Sequence, residues 1–285
     1  MKYLENFYLP SFNSESTYNY PTKYPFGMFS KRDFYDIHFS NITIFYGGNG
    51  SGKSTLLNII NSKLGFARKS SFYSDEAFNA YVSKCKFKLA SDDEGNEIKI
   101  PGSSKIIASE DIINFILDVR DKNNKTETLK KELEQEYFNA KYSDYQFEGL
   151  QDYDRLVRKV EAQKTSKTEY INRRTTMLRQ FSNGENVLRY FDTELENDGL
   201  YLLDEPENCL SPKFQIELLK LIVQSARYCD CQFIIATHSP FLLSIPGAKI
   251  YNLDLEVVDI CKWNELENVK LYYEFFKSHE DDFKD

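Results

Sequence analysis

The chain has 285 residues, of which 41% are hydrophobic and 15% aromatic, and its formal net charge at pH 7 is −8. This length and apolar content exclude a disordered chain and fit one large domain. The negative charge excludes a protein that coats nucleic acid through bulk positive charge. No apolar run approaches the roughly 20 residues needed to cross a bilayer, and the first residues lack a secretion signal. We therefore expect a cytoplasmic protein without membrane insertion.

The first hundred residues are predicted to be rich in β-strands. Residues 33–39 alternate between apolar and polar side chains, and residues 41–46 form an apolar run that ends in glycines. Residues 84–89 and 97–100 read as a hairpin, because the polar stretch between them has turn chemistry. The sequence thus predicts an N-terminal antiparallel β subdomain.

A helical pattern occupies residues 109–180, where apolar residues recur at spacings of three and four. It predicts an inserted helical subdomain between a β-rich part at 1–108 and a last part at 181–285, all within a single domain spanning 1–285. Eight basic residues outnumber four acidic ones over 152–179, which favours a solvated helix face and leaves a nucleic-acid contact as the alternative.

The last part alternates apolar strands with helices. Strands are predicted at 200–203, 232–237 and 249–253, and helices at 212–227 and 240–244, which is the rhythm of a mostly parallel sheet flanked by helices in an α/β fold. A surface helix is expected to follow within residues 265–285, with its aromatic residues packed inward: Tyr272, Phe275 and Phe276.

Residues 47–55, GGNGSGKST, satisfy the phosphate-loop pattern between a strand and a helix. Glycines let backbone N–H groups curl around phosphates, Lys53 supplies a positive charge, and the Ser54 hydroxyl can ligate Mg²⁺. A glycine-rich turn without a ligand is the alternative. The expected nucleotide-binding residues are Gly47, Asn49, Gly50, Ser51, Gly52, Lys53, Ser54 and Thr55.

Two adjacent acids, Asp204 and Glu205, end the apolar run at 200–203. Period-two geometry directs neighbouring strand side chains differently, so the two acids should have separate tasks. Asp204 is expected to bind Mg²⁺ together with Ser54, and Glu205 to act as the base for the attacking water.

Two further segments place polar groups at helix starts. Ser182 with Glu185 forms a capping-box pattern around Gly184, and the same geometry could bind an anion. His238 follows the strand at 232–237, and Ser239-Pro240 starts the next helix. A lone histidine is more often structural than catalytic, but one at the carboxyl edge of a parallel sheet, where ligands bind, is expected to contact the γ-phosphate or the water.

The order of GGNGSGKST, FSNGE, LYLLDEPENCLSP and ATHSP resembles the ABC-type ATPases, and the DEPE and THSP variants resemble the non-transporter branch with the SMC, RecF and OLD-nuclease relatives. The chain is similar to small bacterial stand-alone ATP-binding proteins of the AAA family. The resemblance implies a P-loop NTPase with an ABC-type core.

By that resemblance the catalytic residues are Glu205, His238 and Lys53, the cofactors are ATP and Mg²⁺, and Ser182 and Gly184 contact nucleotide held by a second subunit. A homodimer that forms on ATP binding is therefore implied, driving a partner or nucleic-acid transaction through a separate effector or nuclease chain. The family's glutamine loop has no clear equivalent, although residues 109–111 stand at the matching place.

The alternatives belong to other functional classes. One is the cytosolic ATPase subunit of a membrane transporter, although the DEPE and THSP forms differ from those usual in transporter subunits. The other is an ATP-binding dimerisation switch with little turnover.

Overall fold

The computed structural model describes residues 2–15, 23–72, 74–142, 153–174 and 183–284. The chain divides into two units, one made of Met1–Ile113 with Asn183–Asp285 and the other of Asn114–Ser182. The division into 1–108, 109–180 and 181–285 stays a prediction.

Nine described strands build two sheets in the first unit. In chain order they are β1 (Leu4–Tyr8), β2 (Asp36–His38), β3 (Ile42–Tyr46), β4 (Lys86–Leu89), β5 (Lys105–Ile107), β6 (Leu200–Asp204), β7 (Gln232–Ala236), β8 (Lys249–Asn252) and β9 (Asp259–Cys261). The larger sheet has the order β5-β6-β7-β3-β8-β9 and is parallel except for β9, which runs antiparallel to β8. The predicted mostly parallel α/β sheet is confirmed.

The central strands are continuous apolar runs because both faces of the sheet are covered. Every residue of β3, β6 and β7 is buried. Their register pairs Asp204 with Ala236, and Ala236 with Phe45. The carboxyl ends of these three strands therefore meet at one edge of the sheet, where the polar segments that follow them are brought together.

Ten α-helices lie in the described residues. They are α1 (Phe12–Glu15), α2 (Lys53–Leu64), α3 (Glu76–Lys84), α4 (Ser109–Tyr142), α5 (Tyr153–Lys164), α6 (Lys167–Arg174), α7 (Asn183–Glu194), α8 (Pro212–Tyr228), α9 (Pro240–Leu243) and α10 (Glu267–Ser278). Local chemistry fixes several ends: the Asp75 side chain caps α3, and left-handed Gly65 ends α2. The apolar face of α2 packs into the core of this unit.

The smaller sheet has the order β2-β1-β4 and is antiparallel, as the prediction of an N-terminal antiparallel β subdomain requires. The hairpin predicted between 84–89 and 97–100 forms only near its turn. The bridge between Ser91 and Glu97 and the hydrogen bond from the Ile98 N–H to the Ala90 carbonyl, at 2.8 Å, join its two sides, whereas β4 itself pairs with β1. Short alternating runs on either side of a turn could not reveal that β1, some eighty residues earlier, is the better partner.

The second unit is helical where it is described. A small core of Tyr137, Ala162 and Tyr170 holds its helices together. The basic residues of the stretch 152–179 are partly neutralised there: Arg174 lies 2.6 Å from Glu161, and Lys167 lies 2.6 Å from Glu134. These ion pairs are those expected of a solvated helix face.

The interior packing predicted for the last helix is wrong. Tyr272, Phe275 and Phe276 of α10 are each about half exposed, and Val269 is the buried residue of this helix. The spacing of aromatic residues in the sequence does not distinguish a helix face that is buried from one that is exposed to solvent. Within the described ranges, none of the helices combines the length and the apolar character needed to span a membrane.

Candidate functional site

The glycine-rich loop joins β3 to α2 at the carboxyl edge of the sheet. Gly50 and Gly52 have φ angles of 81° and 105°, which side chains rarely tolerate. A Cβ on Gly52 would also lie 3.0 Å from the Met28 sulfur, and one on Gly47 would lie 2.4 Å from the Ser51 hydroxyl. The loop conformation therefore depends on glycine at these positions.

Lys53 starts α2 and is buried, with 4% of its surface exposed. Its ammonium donates to the carbonyls of Gly47 at 2.7 Å and Gly48 at 3.0 Å, and it lies 3.6 Å from the Glu205 carboxylate. These contacts hold the charge inside the curl of the loop. The loop tip at Asn49 is exposed.

The next two residues of α2 also make polar contacts. The Ser54 hydroxyl donates to Asp204 Oδ1 at 2.9 Å, whereas the buried Thr55 hydroxyl is hydrogen-bonded to the Tyr24 hydroxyl. The Ser51 hydroxyl, in contrast, is buried and has no hydrogen-bond partner among the described residues.

Asp204 ends β6 with its carboxylate buried. Its pKa is raised to about 6, chiefly by burial and in addition by the negative charges of Glu205 and Glu110, while the Ser54 hydrogen bond partly opposes the rise. A serine hydroxyl and a carboxylate in contact are the hard oxygen ligands that Mg²⁺ prefers. The chemistry of this pair fits the predicted metal, which would also relieve the penalty on the buried charge.

Glu205 follows directly after Asp204. Its φ of 47° is left-handed, and its N–H donates to the Ala236 carbonyl at 2.8 Å, which holds this unusual conformation. Its carboxylate lies 3.8 Å from His238 Nδ1 and accepts a hydrogen bond from the Asn208 amide at 3.2 Å. The structure thus brings Lys53, Glu205 and His238 together, and their catalytic roles stay a prediction.

Glu207 is a residue at this site that the sequence analysis did not identify. One oxygen of this buried carboxylate accepts hydrogen bonds from the Thr237 hydroxyl and from the backbone N–H groups of His238, at 3.0 Å, and Ser239, at 3.2 Å. Its place as the second glutamate of the DEPE motif is the one signal that the sequence holds for it. Glu207 fixes the loop that carries His238.

The histidine loop is held from two more sides. The Ser239 hydroxyl caps α9, as predicted, by accepting from the Leu242 N–H, and it donates to Gln215 on α8 at 2.7 Å. The Asn268 amide at the start of α10 donates to the His238 carbonyl at 3.0 Å. The backbone of His238 is therefore constrained, while its ring remains about half exposed.

Asp254 and Arg32 also contact the glycine-rich loop, and no motif in the sequence points to either residue. Both carboxylate oxygens of Asp254 lie 2.9 Å from the Gly48 nitrogen, and Arg32 donates to the carbonyls of Ser51 and Leu253. They tie the glycine-rich loop to the segment after β8. Because Asp254 and Gly48 are about two hundred residues apart in the chain, only the fold reveals this contact.

The predicted signature segment is described in part. Gly184 lies in the first turn of α7, where an added Cβ would come within 2.2 Å of the Phe214 ring on α8. Glycine therefore permits close packing of α7 on α8. Ser182 lies outside the described residues. Of the stretch 109–111, Glu110 acts electrostatically on Asp204, which places an acid near the site where the resemblance expects glutamine.

A phosphate loop after a buried parallel strand, with Asp204, Glu205 and His238 at the ends of two neighbouring strands, is the arrangement of a P-loop nucleotide-binding domain. Residues 99–244, just over half of the chain, match the family described as "AAA domain, putative AbiEii toxin, Type IV TA system". The chain belongs to this family.

Solved structures with a similar fold include two SMC head domains. The Smc head domain of Pyrococcus furiosus, solved bound to the C-terminal domain of ScpA, is 16% identical, with 96% of this chain and 100% of that chain covered and a TM-score of 0.44. The SMC head domain of Thermotoga maritima is 13% identical, with coverages of 92% and 99% and a TM-score of 0.41. The comparison with curated proteins found no match.

Proposed function

We propose that the chain binds and hydrolyses Mg-ATP, and that two copies close around the nucleotide to drive a partner. The observation that carries this proposal is the meeting of Ser54 and Asp204 at 2.9 Å beside Lys53 and Glu205. These residues come from distant parts of the chain. The charge of Lys53 suits phosphate, the oxygens of Ser54 and Asp204 suit the metal, and the carboxylate of Glu205 suits water.

The glycine-rich loop and Lys53 bind the phosphates in this proposal. The ammonium group, now held by the carbonyls of Gly47 and Gly48, can exchange them for phosphate oxygens without leaving the curl of the loop. Ser54 and Asp204 would hold Mg²⁺, which when bound neutralises charge on the phosphates. This neutralisation matters because Asp204, Glu205 and Glu110 make the site acidic.

Glu205 activates the attacking water in this proposal, and His238 lies beside it. Glu205 is partly exposed and so can reach a water molecule, while Asn208 and Lys53 orient its carboxylate. His238 Nδ1 lies 3.8 Å from it, close enough to contact the same water or a terminal phosphate. Glu207 keeps the histidine loop in place through its backbone contacts and so acts as a positioning residue.

The dimeric part of the proposal rests on the resemblance to ABC-type ATPases. Ser182 and Gly184 would contact nucleotide bound by the second copy, so each site is completed only on closure. The family description mentions a toxin of a toxin–antitoxin system. A role in DNA maintenance or defence, exerted through a separate effector or nuclease chain, is consistent with that description.

The test combines nucleotide binding with phosphate release. Glu205→Gln is expected to retain Mg-ATP binding and to lose at least about a hundredfold in turnover, because it removes the base and keeps the shape of the side chain. Lys53→Ala is expected to lose binding itself. The matched control is Glu217→Gln, the same change at an exposed residue of α8 that pairs with Lys220.

Binding is followed with a fluorescent ATP analogue, and release with a phosphate sensor. Wild type that binds Mg-ATP and releases no phosphate would favour a dimerisation switch over an ATPase. Turnover in Glu205→Gln equal to that of wild type and of the control would overturn the assignment of the base.

A further inference from the structure

The tip of the glycine-rich loop is a β-turn over residues 48–51. The Ser51 N–H donates to the Gly48 carbonyl at 3.2 Å, and Gly50 inside the turn has a φ of 81°. This hydrogen bond uses the carbonyl of Gly48 and the N–H of Ser51. The Gly48 N–H and the Ser51 carbonyl must therefore find their partners outside the turn.

Two side chains of opposite charge, from distant segments, supply those partners. The Gly48 N–H donates to both carboxylate oxygens of Asp254, at 2.9 Å each, and the Arg32 guanidinium donates to the Ser51 carbonyl at 3.1 Å. Asp254 lies two residues after β8, and Arg32 ends the 3₁₀ turn Ser30–Arg32. The β-turn is thus held at both of its outer ends.

The two contacts are joined to each other. The Nη1 atom of Arg32 that contacts Ser51 also donates to the carbonyl of Leu253, the residue before Asp254, at 2.5 Å. The Leu253 N–H donates in turn to the Tyr46 carbonyl at 2.8 Å, directly before the loop. Leu253 is fully buried, so its backbone gives both contacts a fixed base. We call Arg32 and Asp254, with these hydrogen bonds, the loop clamp.

The position of Asp254 is not explained by charge. A carboxylate beside a loop that is to bind phosphates repels them, so electrostatic attraction alone would place no acid there. Asp254 is also exposed, and its burial therefore contributes little to the stability of the fold. Its contribution at this place is the pair of hydrogen bonds that fix the Gly48 N–H.

We propose that Arg32 and Asp254 are positioning residues that hold the phosphate loop in its binding conformation before nucleotide arrives, and so set the affinity for ATP. The inference rests on the proposed function, in which residues 47–55 bind the phosphates. Four of these nine residues are glycines, which give the backbone many other conformations. Apparent affinity falls with the fraction of molecules whose loop is competent to bind, and the loop clamp keeps this fraction high.

The variant Asp254→Ala separates the loop clamp from a simple effect of charge. Removing a negative charge beside the phosphates would by itself strengthen ATP binding. Loss of the clamp weakens binding, and we expect the Kd of Mg-ATP to rise at least about fivefold. Asp254→Asn removes the same charge but keeps an oxygen that can accept from the Gly48 N–H. It should therefore bind more tightly than Asp254→Ala.

Binding is measured with a fluorescent ATP analogue, and turnover with a phosphate sensor. In Asp254→Ala the loss should appear as a higher KM for ATP with kcat within about twofold of wild type, because Ser54, Asp204 and Glu205 keep their contacts. A partly unfolded variant would lower kcat instead. The matched control is Asp93→Ala, the same change at an exposed turn residue after β4, which should leave the affinity unchanged.

Hydrogen exchange without nucleotide measures the loop clamp itself. Mass spectrometry of a peptide that covers the loop should show exchange at least about tenfold faster in Asp254→Ala than in wild type, because the Gly48 N–H loses its acceptor. Arg32→Met keeps the length of the side chain and loses its donors, and it should also speed exchange in this peptide.

Two results would overturn the inference alone: exchange in Asp254→Ala as slow as in wild type, or an affinity of this variant for Mg-ATP equal to or higher than that of wild type. Equal affinities of Asp254→Asn and Asp254→Ala would also contradict it, because the two variants differ in the acceptor and not in charge. Wild type that binds no Mg-ATP would overturn the proposed function together with the inference.

Discussion

Replacing Asp204 by asparagine should stabilise the nucleotide-free protein while removing its magnesium site. The folded state raises the pKa of Asp204 from 3.8 to about 6, because the carboxylate is buried and lies near other acids. A pKa raised by folding means that ionisation of Asp204 opposes folding. At about 1.4 kcal/mol per unit, the penalty is roughly 3 kcal/mol once the group is fully ionised in both states.

The dependence on pH follows from the sign of this shift. The penalty is absent well below pH 3.8, where the carboxyl is protonated in both states, grows as the pH rises towards 6, and is complete above that value. Asparagine carries no charge and keeps an acceptor for the Ser54 hydroxyl. We therefore expect Asp204→Asn to be more stable than wild type by about 3 kcal/mol at pH 8 and by about 1 kcal/mol at pH 4.5.

Urea unfolding without Mg²⁺ or nucleotide measures this difference. The fluorescence of Trp263, the one tryptophan of the chain, reports on the unit that contains Asp204. Adding Mg²⁺ should stabilise wild type and leave the variant unchanged. A variant that is less stable than wild type at pH 8, or a difference that does not depend on pH, would refute the reasoning.

Other variants test the supports of the site. Below about pH 6, Mg²⁺ affinity measured by titration calorimetry should fall about tenfold per unit, because Asp204 must lose its proton to bind; a constant affinity would contradict this. Glu207→Ala removes the acceptor of the Thr237 hydroxyl and of the His238 N–H, and it should lower the free energy of unfolding in urea by about 3 kcal/mol. An unchanged unfolding midpoint would contradict this. Gly184→Ala meets the Phe214 ring and should cost about 2 kcal/mol, which Phe214→Leu should partly restore if the clash is real.

The sequence predicted the sheet and located the glycine-rich loop for a physical reason. Buried parallel strands leave long apolar runs, and a phosphate loop needs glycine and lysine at fixed spacings, so β3, β6, β7 and residues 47–55 were all identifiable. The positions of Lys53, Ser54 and Asp204 then followed from the rule that parallel strands end at one edge.

The sequence could not predict features that depend on contacts between distant segments, or whether a given surface is exposed to solvent. The pairing of β4 with β1, the contact of Asp254 with Gly48 and the hydrogen bonds of Glu207 each join residues that no local pattern connects. The exposure of the aromatic residues of α10 could not be predicted either, because their spacing in the sequence is the same whether they pack inward or face outward. Both the pairings and the exposure depend on tertiary contacts between segments far apart in the sequence.

The central claim, that ATP brings two copies together around a shared site, is tested most directly by solution mass. The protein to use is Glu205→Gln, in which hydrolysis is blocked, so that a dimer held by nucleotide accumulates. Light scattering should give the mass of one copy without Mg-ATP and of two copies with it. A single copy in both conditions, with ATP binding demonstrated in the same sample, would contradict the claim.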